Sequence, residues 1–171
     1  MLNQQIGLGG VFTVKCLDAD GNTKWTEEFP NLVVNAGLQY ANTQVFKGVT
    51  YTATWYMGLV TGPGAGNTYL AANTMASHAG WTENVAYSQT ARPTMAFGTA
   101  STADPSVIVS TVTVFTMNAT ATIAGAFVTN ENTKSGTTGT LFSVGNFTVG
   151  DRLVVSGDTL NVTYTFSADA A

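Results

Sequence analysis

The chain has 171 residues with a formal net charge of −4 at pH 7, and only 9% of its residues are charged. Its six cations are scattered without forming a basic arm or stripe, which argues against direct nucleic-acid binding. No run approaches the roughly 18 apolar residues of a membrane span, and the first residues lack the features of a secretory signal. We therefore expect a protein that binds neither nucleic acid nor membranes and that folds in a cytoplasm.

The surface of the folded chain is expected to be unusually neutral. Ordinary soluble domains carry roughly 25% charged residues, whereas this chain is rich in short neutral residues, with 29 threonines and 18 glycines. Such side chains lose little rotamer freedom when a neighbouring subunit covers them. The composition therefore predicts a component of an assembly rather than an enzyme.

The first predicted elements form a β-hairpin. A strand over residues 11–17 is followed by turn residues 18–22, in which Gly21 can take a positive φ, and a second strand covers residues 24–29. The lone cysteine, Cys16, lies in the alternating apolar part of the first strand. We therefore expect a buried structural thiol and no intrachain disulfide.

One helix is predicted, over about residues 36–46. Its apolar side chains recur at helical spacing. Asn35 stands where an N-cap residue belongs, and Gly48 is suited to end the helix.

The rest of the chain is β in character, apart from a long irregular segment at about residues 61–86. That segment follows a buried strand over residues 52–60 and contains one short helical stretch near residues 72–77. Further strands are predicted at residues 87–97, 107–117, 121–129, 140–147, 153–156 and 160–166. Short strands separated by turn signals indicate a mainly β fold, an antiparallel β-sandwich resembling a jelly roll, with one short helix.

The domain organisation is predicted to be simple. Residues 1–10 are polar and then glycine-rich, and we expect them to form an N-terminal arm that orders on docking. Residues 11–167 are predicted to form a single β-sandwich domain, and residues 168–171 a short tail. No internal repeat or linker divides the chain.

The chemistry-bearing residues match no catalytic or metal-binding motif. His78 is the only histidine, so a general base would almost have to use it, but hydrogen bonding within its own loop is the favoured role. One cysteine and one histidine cannot supply a zinc site. The run Asp18–Asn22 resembles a calcium loop, yet Thr23 and Phe29 stand where an EF-hand requires glycine and an acid. We therefore expect no enzyme activity, no metal and no cofactor.

Five aromatic residues have two competing interpretations. They are suited either to a sugar-binding platform or to the interior of the sandwich, and core packing is the favoured interpretation. These residues are Trp25, Trp55, Tyr56, Trp81 and Tyr87. A carbohydrate-binding or adhesin module stays as an alternative function, and it requires a solvent-exposed row of aromatic side chains.

The long segment 61–86 is the predicted contact with another subunit or with a capsid. Irregular segments of this length usually carry function or an interface, and aromatic and methionine side chains are typical interface anchors. The predicted interface residues are Tyr69, Leu70, Met75, His78 and Trp81.

Four stretches together resemble small structural proteins of tailed bacteriophages. They are Asn31–Leu38 (NLVVNAGL), Trp55–Val60 (WYMGLV), Thr74–Glu83 (TMASHAGWTE) and Gly157–Phe166 (GDTLNVTYTF). The proteins that they resemble are head decoration (cement), head-fibre and tail proteins. The resemblance implies a non-enzymatic virion component that is assembled in the host cytoplasm, with no functional residues to carry over.

Within that class we expect a decoration protein on the outer capsid surface. We expect a homotrimer that contacts the major capsid protein, because many repeated contacts of modest area can stabilise a shell. A tail adaptor or fibre-attachment protein is the alternative within the virion, since composition does not separate the two positions. With few ion pairs to titrate, stability is expected to depend weakly on pH and salt.

Overall fold

Two antiparallel β-sheets packed face to face form the framework of the protein in a computed structural model, which describes residues 6–48 and 54–170. The predicted mainly β fold class is confirmed. The strands are β1 (Ile6–Leu17), β2 (Thr23–Pro30), β3 (Leu32–Val33), β4 (Trp55–Thr61), β5 (Glu83–Asn84), β6 (Thr94–Met95), β7 (Ser106–Val109), β8 (Thr113–Thr116), β9 (Ala121–Thr129), β10 (Leu141–Asn146), β11 (Arg152–Val154) and β12 (Thr159–Ala170). The helix α1 spans Asn35–Lys47.

The first sheet has the order β2-β1-β12. The other edge of β12 pairs with β7 along one part of its length and with β8 along another. The predicted hairpin of β1 and β2 is confirmed. Its turn is fixed by Asp18, whose Oδ1 accepts hydrogen bonds from the backbone N–H groups of Asp20 at 3.0 Å and Asn22 at 2.8 Å. Such local side-chain bonds are the reason that Asp favours turns.

The predicted arm and tail are wrong for the residues that the structure describes. Residues 6–10 belong to β1, and they pair with residues 166–170 of β12, from Ile6↔Ala170 onward. Residues 1–5 and 171 lie outside the described residues. The glycine-rich start of β1 has little strand propensity of its own, so its conformation depends on a partner strand near the other end of the chain.

The second sheet has the order β3-β10-β9-β4-β5, with β11 also paired to β9 and β6 also paired to β4. Its central strand, β9, is buried on both faces. The ladder between β4 and β9 skips Ala124, and this β-bulge lets Ile123 and Val128 face the first sheet while Phe127 faces the opposite side.

The main core fills the space between the two sheets. Phe12 and Val162 from the first sheet pack against Met57, Leu59 and Val128 from the second, and all five are buried. A smaller second core lies on the other face of the second sheet. The fold therefore has three layers, and the irregular segment 61–86 supplies part of the third.

The predicted helix is confirmed to within one residue at each end, and Gly48 ends it with a φ of 55°. The predicted N-cap is wrong, because Asn35 is the first helical residue and Val34 is the N-cap, without a side-chain hydrogen bond. The start of the helix is instead fixed by backbone bonds, from Val34 N–H to the carbonyl of Phe142 and from Asn35 N–H to the carbonyl of Ala71.

Three further predictions differ from the structure. The strand predicted at 87–97 is reduced to β6, the strand predicted at 107–117 is divided into β7 and β8, and no helix forms at 72–77, where Thr74 and Ser77 form an isolated bridge. The strand predicted at 52–60 is β4 from residue 55 onward, and residues 52 and 53 lie outside the described residues.

Candidate functional site

The long segment forms a layer on the outer face of the second sheet. Met75 and Trp81, two of the predicted interface residues, are 1% and 3% exposed and pack in the second core with Val60 and Phe127. The ring centroids of Trp81 and Phe127 are 5.2 Å apart. These two anchors therefore attach the segment to its own sheet, and in this conformation they offer no accessible surface to another chain.

His78 lies beside Trp81 at the edge of this core. The two rings stack with centroids 4.0 Å apart, and His78 Nδ1 lies 3.0 Å from the backbone oxygen of Trp81. A carbonyl oxygen only accepts, so Nδ1 carries the proton in this contact. The sequence-based expectation that this histidine bonds within its own loop is confirmed.

Tyr69 and Leu70 differ in exposure. The Tyr69 hydroxyl accepts a hydrogen bond from Asn67 Nδ2 at 3.0 Å and donates to Asn146 Oδ1 at 2.8 Å, and burial raises its pKa to about 12. Leu70 is 53% exposed. Asn73 Oδ1 accepts from both Leu70 N–H and Trp81 Nε1, each at 3.1 Å, so the segment is held by its own polar side chains.

A pocket of about 240 Å³, with both apolar and charged residues in its lining, opens beside Trp81 and His78. Its wall contains an ion pair between Arg92 and Glu83, whose side chains are 1% and 5% exposed. The guanidinium also lies over the Phe127 ring, 5.2 Å from its centroid. Sequence reasoning missed this pair because Arg92 and Glu83 come together only when the residues between them form a loop.

The hydrogen bonds of this pair assign it a structural role. Glu83 Oε1 accepts from Arg92 Nε at 2.9 Å, and Oε2 accepts from Arg92 Nη2 at 2.8 Å and from Ser135 N–H at 2.7 Å. Ser135 has a φ of 56°, which costs a non-glycine residue free energy unless its surroundings hold it. Since both carboxylate oxygens already accept bonds within the chain, this carboxylate fixes the loop around Ser135.

Two more ion pairs each join a partly exposed cation to a buried acid. Lys24 Nζ lies 2.6 Å from Asp158 Oδ2, and Arg152 binds Glu27. Asp158 and Glu27 are 2% and 1% exposed in their side chains. Three of the six cations therefore hold buried carboxylates.

The five aromatic residues considered for a sugar platform do not form a row. Trp55 and Tyr87 belong to the main core, Trp81 belongs to the second core, and Trp25 packs edge-on against Phe147 at a centroid distance of 5.8 Å. The three tryptophans and Tyr87 are thus divided between different layers of the fold. Tyr56 follows Trp55 in β4 and is only partly buried. These five side chains therefore do not form a flat aromatic platform.

An apolar cleft of about 260 Å³ lies beneath α1, between the two sheets. Six aromatic side chains line it, of the 18 in the chain. They are Tyr40, Trp55, Phe97, Phe142, Tyr164 and Phe166. No signal in the sequence placed these residues together, because they come from α1, three strands and a loop that are far apart along the chain.

The aromatic rings around the cleft contact one another edge to face. Trp55 contacts Tyr40 and Phe142 with centroid distances of 5.1 and 5.4 Å, and Phe142 contacts Phe166 at 5.6 Å. Such contacts fix ring orientation. These ring contacts give the cleft ordered walls. One polar group in the wall, the Tyr164 hydroxyl, already accepts a hydrogen bond from Asn31 Nδ2 at 2.7 Å.

Comparison with known proteins finds no matching family model, no similar curated protein and no similar solved structure. Within residues 6–48 and 54–170, no three acidic, histidine or cysteine side chains are grouped so that they could hold a metal ion. No helix in the same ranges is long and apolar enough to span a membrane.

Proposed function

We propose that this protein is a structural component of a tailed-phage virion, most specifically a decoration protein that forms a homotrimer on the capsid. The observation that carries the proposal is the character of the layer formed by segment 61–86. Residues 61–82 contain no charged side chain. The exposed positions of this stretch are small or aliphatic, among them Ala65, Thr68, Leu70, Ala72 and Ala79.

This surface suits a contact with another protein for two physical reasons. Small neutral side chains are desolvated at little cost and lose little rotamer entropy when they are covered. The layer is also held in place before any partner arrives, by Trp81 and Met75 from below and by the bonds of Asn73. Preorganisation of this kind lowers the free-energy cost of association.

The major capsid protein and neighbouring copies of this chain are the proposed partners. A tail adaptor or fibre-attachment protein would use the same kind of surface at a different place in the particle. The copy number separates the two, because a decoration protein is present in numbers comparable to the capsid protein, whereas a tail component forms a single ring or a few fibres.

The test is quantitative mass spectrometry of purified particles of the phage that encodes this chain. We expect the protein in a fixed ratio of order one to the major capsid protein. A copy number that corresponds to a single tail ring would indicate that the protein belongs to the tail. Absence of the protein from the particles would overturn the virion proposal altogether.

A variant pair tests whether the proposed surface makes the contact. Leu70→Asp places a charge in the centre of the neutral layer and should lower occupancy on the particle. Val114→Asp is the matched control, since Val114 is 41% exposed on β8 of the first sheet and lies outside that layer. Equal occupancy of the two variants would exclude the segment 61–86 as the contact.

A further inference from the structure

We infer that the cleft beneath α1 is a binding site for one small, neutral, ring-sized apolar molecule. The cleft is independent of the layer proposed above as the assembly contact, because it lies between the two sheets and not on the outer face of the second. Its inner wall includes Val128 of β9 and Tyr164 of β12, and its outer rim is formed by Ala41 and Val45 of α1.

The size of the cleft sets the size of the ligand. An apolar cavity of about 150 Å³ is large enough to bind benzene, and this cleft measures about 260 Å³. The ligand it fits is one substituted aromatic or alicyclic ring.

The lining sets the polarity of the ligand. None of the residues around the cleft carries a charge, and Gln44 is the one amide among them. A charged group placed here would lose its hydration without gaining a counter-charge. The uncharged lining therefore selects a neutral molecule, and Trp55 and Phe142 are among the aromatic residues that would contact its ring.

Water is a poor alternative occupant. A buried water molecule is stable where two to four polar partners surround it. Of the 11 lining residues, only Tyr40, Gln44, Trp55 and Tyr164 carry polar side-chain atoms, and the Tyr164 hydroxyl already accepts a hydrogen bond from Asn31 Nδ2 at 2.7 Å. An apolar ring gains dispersion contacts with the walls that water does not supply, so the cleft favours such a ring.

The entrance is on the helix side. Val45 is 74% exposed and Phe46 is 83% exposed, so both side chains of this turn of α1 lie largely in solvent. Val45 also lines the cleft, so a ligand that enters on this side passes its side chain.

The experiment uses fluorine NMR on the full chain with three probes of one shape and different charge. These are 4-fluorotoluene, 4-fluorobenzoate and 4-fluorobenzylammonium. We expect saturable one-to-one binding of 4-fluorotoluene and at least tenfold weaker binding of both charged probes. Equal binding of all three, or no saturable binding of 4-fluorotoluene, would overturn the inference.

A matched pair of helix variants locates the site. Ala41→Phe fills the cleft from the helix and should weaken binding of 4-fluorotoluene at least tenfold. Asn42→Phe adds the same side chain at the next, exposed position, which does not line the cleft, and should leave binding unchanged. If Ala41→Phe does not fold, Val128→Phe fills the same space from β9, and unchanged binding in a folded filling variant would contradict the assignment.

The same samples distinguish a second copy of the chain as the occupant. In that case 4-fluorotoluene would show no saturable binding to the wild-type protein, and Ala41→Phe would abolish a concentration-dependent association seen by sedimentation. That result would overturn the small-molecule site. It would leave the copy number on particles, and hence the proposed function, to be decided separately.

Discussion

Arg92 binds Glu83 through two parallel hydrogen bonds, with Nε 2.9 Å from Oε1 and Nη2 2.8 Å from Oε2. The same guanidinium donates to the carbonyl oxygens of Glu131 at 2.9 Å and Gly136 at 3.1 Å. One buried side chain thus joins the residues that follow β5 to the loop that precedes β10. Bidentate pairs of this kind hold geometry as well as charge.

Removing the cation should therefore be costly. We expect Arg92→Met to lower the free energy of unfolding by about 3–5 kcal/mol, because the Glu83 carboxylate would stay buried without its partner. Urea unfolding measures the change. Lys15→Met is the control, since Lys15 is exposed on β1, and it should change stability by less than about 0.5 kcal/mol. A loss below about 1 kcal/mol in Arg92→Met would show that the pair carries little of the stability.

Stability should fall in the alkaline range. Burial, reinforced by the nearby Asp158 carboxylate, raises the pKa of the Cys16 thiol from 9.0 to about 11. The unfolded chain then loses this proton first, so the stability contributed by the buried thiol is complete below pH 9 and is lost as the pH rises to about 11. Unfolding free energies measured at intervals between pH 8 and pH 11 should show this decline.

The variant Cys16→Ala isolates the contribution of the thiol to that decline. Its unfolding free energy should fall less steeply between pH 9 and pH 11 than that of the wild type, whatever the difference at pH 8. Tyr69 and Tyr164, whose pKa values burial raises to about 12, should still give both proteins a loss of stability above pH 10. Identical slopes up to pH 10 would contradict the role of Cys16.

A close approach between backbones should make Gly37 intolerant of a methyl group. A Cβ at Gly37 would overlap the carbonyl oxygen of Phe142, although alanine is favoured over glycine by about 1 kcal/mol in a helix interior. We expect Gly37→Ala to destabilise by about 1–3 kcal/mol, as overpacking does. Gly66→Ala is the control, because nothing lies within 4 Å of its Cβ position. A stabilised Gly37→Ala variant would mean that α1 is free to shift away from β10.

The attachment of residues 61–82, the uncharged part of the long segment, to the second sheet should depend on Trp81. We expect Trp81→Leu to raise the rate of cleavage within the segment roughly tenfold, since local opening becomes about 1.4 kcal/mol easier. Proteinase K is the suitable enzyme, because the segment contains no lysine or arginine for trypsin. Trp25→Leu, a partly exposed tryptophan on β2, should leave that cleavage unchanged. Cleavage at equal rates would show that Trp81 does not hold the segment.

Local patterns predicted the elements whose partners and turns lie close in sequence. The β1–β2 hairpin follows from alternation and from the turn chemistry of Asp18, and α1 follows from helical spacing and Gly48. Strand β9 has the bounds that its apolar run predicts. In each of these elements local propensity and burial favour the same structure.

The divided strand shows where alternation alone fails. Val109 pairs with Thr165, and Thr113 pairs with Val162. The chain therefore advances four residues from β7 to β8 while β12 advances three. This is a β-bulge. It is fixed by Ser110, which exchanges bonds with the backbone of Tyr164 through its N–H and its Oγ. A serine within an alternating run gives no sign of that tertiary contact.

The candidate sites depend on contacts that no local pattern reveals. The cleft joins Tyr40 of α1 to Phe166 of β12, and the ion pairs join residues such as Lys24 and Asp158 that are distant in the chain. Residue type alone predicts Met75 and Trp81 as interface anchors. In the structure both are buried within the chain, and Leu70 is the most exposed of the five predicted interface residues. The residue type predicts that a side chain tends to be buried, whereas the topology determines which part of the chain, or which partner, covers that side chain.

The pairing of β1 with β12 also bears on how the protein is made. The ribosome releases β1 well before β12, so the first sheet lacks the ladder between these two strands until β12 has been synthesised. Until then Phe12 and Val14, which are fully covered in the finished fold, pair only with β2 and lack the second neighbouring strand. The first sheet is therefore completed only after β12 has emerged, and nascent chains that stall before β12 should be prone to aggregate.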